Sequence, residues 1–206
     1  NIGLEGFMIF GAVNAGAAVW ILGGGSPTQA DLWLAILAAV AHAREAETPV
    51  VFDLADPFAA ERNRDEFLEL IRDHVDIVFA NQREAELLCE TADPQDSVRQ
   101  LAKLAEVATV KDGASGSYIK ERGGPLIEVP AASAEPVDTT GAGDIYAAGF
   151  LRRLCTGGSL QDAGAFASYA AAQIIEQVGA QFTGERRELI REAQHDGSWR
   201  LALERA

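Results

Sequence analysis

Short, nearly continuous apolar runs alternate along this chain with segments whose apolar residues recur at helical spacing. The runs at 17–22, 50–54, 76–80 and 107–110 read as strands buried on both faces. Between and after them lie helical patterns. Segment 31–47 carries Leu34, Leu37, Ala38 and Ala41 at helical spacing, and 62–74 carries Phe67, Leu70 and Ile71 on one face. Segments 85–89, 97–105, 160–178 (capped by Ser159) and 186–194 are further expected helices. Residues 117–120 and 126–129 alternate about Gly123-Gly124-Pro125, which predicts a hairpin. Residues 1–16 give no clear period. Strand followed by helix, repeated, predicts an α/β fold with a parallel sheet covered on both faces, three layers in all. Such sheets bind ligands beyond the carboxyl ends of their strands. The 206 residues, 48% of them hydrophobic, suffice for one substantial core rather than two, so residues 1–206 are expected to form a single α/β domain.

The formal charge of −14 and a pI near 4.6 repel phosphates on average, which argues against nucleic-acid and acidic-membrane partners. Segment 7–22 is largely apolar, but it contains Gly11, Asn14 and Gly16 and falls short of the ~20 residues of a membrane span. A buried strand or core segment is expected there. Cys89 and Cys155 are far apart without metal-ligand spacing, which fits two free thiols in a reducing cytoplasm. His42, His74 and His195 are dispersed. The chain begins with Asn1 rather than Met, inside what reads as ordered sequence, so a preceding part is expected.

A phosphate-bearing ligand would need a local device against the acidic mean field. Asp138-Thr139-Thr140-Gly141-Ala142-Gly143-Asp144 supplies one, because it is a glycine-rich turn opening into an apolar helix. Gly141 and Gly143 allow close backbone approach, and the free N–H groups of a helix start attract an anion. Asp144 is either a helix cap or a base beside a bound phosphate. Two other polar loops follow strands. Asn81-Gln82-Arg83-Glu84 is either a capping box or a place for a cation and its waters. Lys111-Asp112-Gly113-Ala114-Ser115-Gly116 is either an ordinary glycine turn or a nucleotide loop.

The 138–144 stretch resembles the C-terminal signature of ribokinase-like carbohydrate and nucleoside kinases, the phosphofructokinase-B type. Asn81-x-x-Glu84 resembles that family's Asn-x-x-Glu motif, and 111–116 its nucleotide loop. Residues 165–171, running on to Val178-Gly179-Ala180, are similar to its late nucleotide-pocket helix. The resemblance covers about residues 17–185, and 53–84 reads most like the adenosine-kinase-like branch. It implies a three-layer, Rossmann-like ribokinase fold whose lid region and most acceptor-binding residues lie outside this chain. It implies transfer of a phosphoryl group from ATP to a hydroxyl of a small sugar or nucleoside.

By the same resemblance, Asp144 is the general base, with the backbone of Gly141, Ala142, Gly143 and Asp144 as an anion hole. Asn81, Lys111, Gly113, Gly116 and Ser168 contact the nucleotide. Glu84 orders Mg²⁺ and its waters, with Asn81 beside it, and Asp138 helps to bind a monovalent cation. For Asp138 a loop-capping role, and for Ser168 a packing role, are equal alternatives. The oligomeric state stays open, a homodimer included. The rival function is a truncated, non-catalytic nucleotide-binding remnant of the same family. A receiver-type regulatory domain built on Asp53 would explain the alternation but leaves 138–144 unused. Gly23-Gly24-Gly25-Ser26-Pro27 faintly resembles the family's N-terminal glycine signature, with Gln29 near the place of the expected Asn.

Overall fold

A computed structural model describes residues 8–11 and 29–200 of the protein. The chain runs β1 (Met8–Gly11), α1 (Gln29–Glu45), β2 (Val50–Asp53), α2 (Pro57–Arg62), α3 (Arg64–His74), β3 (Ile77–Asn81), α4 (Gln82–Cys89), α5 (Pro94–Leu101) and β4 (Val107–Lys111). It continues through β5 (Ser117–Glu121), β6 (Leu126–Val129), α6 (Ala142–Cys155), α7 (Leu160–Ile175) and α8 (Gly184–Asp196). The strand expected at 17–22 and the glycine loop at 23–27 lie outside the described residues. Strand β1 falls where the sequence offered no period, within the apolar stretch 7–22 expected to hold a buried strand or core segment.

The sheet has the order β1-β2-β3-β4-β5-β6. The first four strands are parallel, as the alternation predicts. The last two are not: β5 turns back antiparallel against β4, and β6 against β5. The Gly123-Gly124-Pro125 turn is too short for the crossover a parallel pair requires, so the sheet is mixed.

Side chains alternate across the strands, and each face is covered. Val50, Phe52, Val78, Ala80, Ala108 and Val110 pack on one side against α1 to α5, through Val40, Ala60, Ile71, Leu88 and Leu101 among others. Val51, Ile77, Phe79, Val107, Ile119 and Val129 pack on the other against α6, α7 and α8. There Phe79 meets the rings of Phe150 and Tyr146 edge-on, at 5.3 and 6.5 Å between centroids. The result is three layers, helices on sheet on helices.

Local chemistry sets several boundaries. The helix expected at 62–74 is preceded by a separate α2, because Asp56 accepts from the Phe58 N–H and Pro57 fills the first helical position. Asn63, at φ −124, then separates α2 from α3. Helix α5 starts at Pro94 rather than Ser97, because Asp93 caps it in the same way. In α1 the inward residues are Val40 and Ala43, whereas Leu37 of the expected stripe is 45% exposed. That helix is apolar nearly all round, so its spacing does not choose a face.

Candidate active site

Strand parity brings three polar side chains to one end of the sheet. Asp53 follows Val51, Asn81 follows Phe79 and Lys111 follows Thr109, all on the face covered by α6 and α7. Each closes its strand at the carboxyl end, and Asn81 pairs in register with Lys111. The first turn of α6 comes to the same place. It does so after the long irregular segment 130–141 and not directly after a strand, a difference from the sequence expectation; β6, antiparallel to β5, runs in the direction of β4 and ends at the same side of the sheet, and segment 130–141 leads from there to α6. Together these elements line a cleft of about 930 Å³.

The Asn81–Glu84 pair forms a complete capping box. Glu84 N–H donates to Asn81 Oδ1 (2.9 Å), while the Asn81 backbone N–H and Nδ2 donate to Glu84 Oε2 and Oε1 at 2.8 and 2.7 Å. Glu84 is 1% exposed yet lies on the cleft wall. Burial pushes its carboxyl above the ordinary range, against the Asn81 backbone bond and the Lys111 charge, which pull it down. Capping and cleft-lining therefore coincide in one residue.

Lys111 Nζ sits 3.1 and 3.0 Å from the two carboxylate oxygens of Asp53. Burial raises the Asp53 carboxyl first, the lysine opposes that, and the Asp144 charge adds to the rise. The ammonium also stands 3.3 Å from the point where a Cβ on Gly143 would lie, so it faces the first turn of α6. Sequence reasoning missed Asp53 as a member of this site. The available signal was a carboxylate ending an otherwise apolar strand.

Gly141 is the N-cap of α6 and takes φ +79. Asp144 is therefore the third residue of the helix and not its cap. Its exposed carboxylate makes no hydrogen bond or ion pair within the described residues. The Ala142 N–H is committed to Thr139 O at 3.2 Å, so within the first turn of α6 the N–H groups left open to a ligand are those of Gly143 and Asp144.

Gly113 opens a short 3₁₀ turn, Gly113–Ser115, and Gly116 ends it at φ +98; both line the cleft. Ser168 lines it too, but its hydroxyl is spent on the wall. It donates to Pro130 O and accepts from Ala132 N–H, each at 2.9 Å. It thereby fixes the alanine-rich strip Ala131, Ala132, Ser133 and Ala134 that faces Ala171 and Ile175. Asp138 acts as a loop clamp. Its oxygens accept from Thr140 N–H and Gly179 N–H, each at 2.9 Å; hydrogen bonding by the Thr140 side chain first, and then by these two N–H groups, holds its carboxyl below the ordinary range. Among the described residues, no group of three or more His, Cys, Asp or Glu has a geometry that could hold a metal ion, and no helix is long and apolar enough to cross a membrane.

The cleft suits a nucleotide by its chemistry. It offers two open N–H groups and an ammonium at one end, glycines along a rim, and an apolar strip at the other. For Mg²⁺ the fitting donor is Glu84, since this ion keeps several waters and takes few protein ligands.

Residues 11–187 match the pfkB family of carbohydrate kinases. The chain is 34% identical over 131 residues to an uncharacterized sugar kinase of Archaeoglobus fulgidus, an alignment covering 64% of this chain and 51% of that protein. Among solved structures, an adenosine kinase from Sinorhizobium meliloti superposes with a TM-score of 0.77 at 34% identity, and a probable sugar kinase from Rhizobium etli with 0.76 at 32%. Both superpositions cover 91% of this chain and 54% of the other. The chain thus spans about half the length of these relatives. A match over residues 11–187, and loops that converge on one cleft, assign the chain to the pfkB family of carbohydrate kinases.

Proposed function

We propose that this chain carries the nucleotide site and the catalytic base of a kinase that phosphorylates a hydroxyl of a sugar or nucleoside, adenosine-like acceptors being favoured. One observation carries the reading. Asp144 presents an unpartnered carboxylate beside two open N–H groups, at the mouth of a nucleotide-sized cleft. ATP supplies the phosphoryl group. The base and sugar of the nucleotide lie along Ala131–Ala134 and Ala171, and its phosphates point to α6. Gly143 and Asp144 N–H groups, with Lys111, hold charge on the transferring group; one preorganised donor of this kind contributes ~3–4 kcal/mol. Asp144 takes the proton of the acceptor hydroxyl, a role worth roughly 10²–10⁴-fold in rate. Glu84 would hold Mg²⁺ through water, and the cation would in turn favour its charged form. Gly113 and Gly116 let the 111–116 loop lie close to the nucleotide. Asp138 keeps the loop before α6 in place, with a monovalent cation as an additional ligand.

The test is transfer of labelled γ-phosphate from ATP to a panel of nucleosides and sugars, together with a MgATP melting-temperature shift. A shift with transfer supports the kinase. A shift without transfer to any acceptor leaves a nucleotide-binding module. No shift removes both readings.

A further inference from the structure

Neither the loop motifs nor the family resemblance assigns Asp53 a role in the cleft, yet it holds the one basic side chain there. Lys111 is the only cationic residue lining the cleft among the described residues. Its side chain is 14% exposed and that of Asp53 7%, with both carboxylate oxygens in contact with Nζ. An ammonium has three N–H donors. Both Asp53 oxygens accept from it, at the spot where phosphates reaching Gly143 and Asp144 would need its donors.

Resting on the reading of the cleft as a nucleotide site, we propose that Asp53 is a competing counter-ion that moderates the affinity of Lys111 for phosphate. Asp53 neutralises the ammonium when no phosphate is bound. An arriving polyphosphate must share or displace that contact, so part of its attraction is cancelled. Without Asp53, Lys111 would be a buried charge with no carboxylate in contact, faced by the Phe79 ring at 5.9 Å and by the charge of Glu84, and the ligand would become its main counter-ion. The protein would then be less stable alone and bind phosphate more tightly. Asp53 therefore holds nucleotide affinity at a level from which product can leave, and it acts through Lys111 rather than on the reacting atoms.

Titration calorimetry tests this on the full chain, with MgATP, MgADP and adenosine as probes and with wild type, Asp53→Asn, Lys111→Met and the double variant. Asp53→Asn is expected to bind MgATP and MgADP about tenfold more tightly, and Lys111→Met about tenfold more weakly. Adenosine affinity should change in neither, and the double variant should match Lys111→Met. A side chain with a purely structural role would not raise affinity when removed. Where Asp53→Asn fails to fold, Asp53→Ser carries the same expectation. Unchanged or weaker MgATP binding in the Asp53 variant overturns the proposal. So does a gain that persists without Lys111, which would trace to general charge removal. Wild-type protein that binds none of the probes overturns the nucleotide reading itself, a distinct result.

Discussion

Gly113 and Gly116 bound the same turn and both take positive φ, yet their replacement by alanine should have very different effects. At Gly113 the angle is +54 and a Cβ would meet nothing within 4 Å. The left-handed strain alone costs about 1 kcal/mol. At Gly116 the angle is +98, and a Cβ would lie 2.1 Å from Val129 O and 2.8 Å from Ala131 N. Both are backbone atoms, so relief requires moving the end of β6 and the strip that Ser168 holds. Strain of about 1–3 kcal/mol adds to overpacking of about 1–3 kcal/mol, together roughly 4 kcal/mol. At about 2–4 °C per kcal/mol for a chain of this size, Gly113→Ala lowers Tm by about 2–4 °C and Gly116→Ala by about 8–16 °C. Thermal unfolding followed by circular dichroism at matched concentration measures both. Equal losses in the two variants would refute the steric account of this loop.

Other perturbations have expected signs. Lys111→Met leaves Asp53 buried without its partner and should destabilise the fold by about 3–5 kcal/mol, read by urea unfolding. Ser168→Ala strands Pro130 O and Ala132 N–H and should cost about 1–3 kcal/mol, with raised hydrogen exchange at the Ala131 and Ala132 amides. Asp138 is held below its ordinary value of 3.8 by the Thr140 and Gly179 bonds. Its stabilising contribution is present above the unfolded pKa and lost as pH falls through the lower folded one. Asp138→Ala should therefore flatten the acid limb of the stability curve below pH ~4. Burial pushes the Cys89 thiol up to about 11, while the partly exposed Cys155 is shifted less. Under a thiol reagent at neutral pH, Cys155 should be modified before Cys89.

The parallel half of the fold was legible because Val50-Val51-Phe52 and Ile77-Val78-Phe79 are apolar without interruption, as strands buried on both faces must be. A buried strand or core segment was legible in the apolar stretch 7–22, but not that it sits at 8–11, where the period is irregular and the pairing with β2 is non-local. The inward face of α1 was hidden by alanine, which is compatible with every side of a helix. The three polar loops announced the site through glycine and charge. Asp53 was harder to see, because a single carboxylate at a strand end gains meaning only when strand parity sets it against Lys111. Glu84 needed geometry as well: spacing offered a capping box or a place for a cation, and the fold shows the capping box, set on the cleft wall.

The central claim is that Asp144 serves chemistry rather than helix capping. Single-turnover transfer of labelled γ-phosphate, by wild type and by Asp144→Asn with MgATP saturating in both, measures it most directly. The account predicts unchanged MgATP affinity and a transfer rate lowered by about 10²–10⁴-fold in the variant. A variant that transfers phosphate at close to the wild-type rate would contradict it.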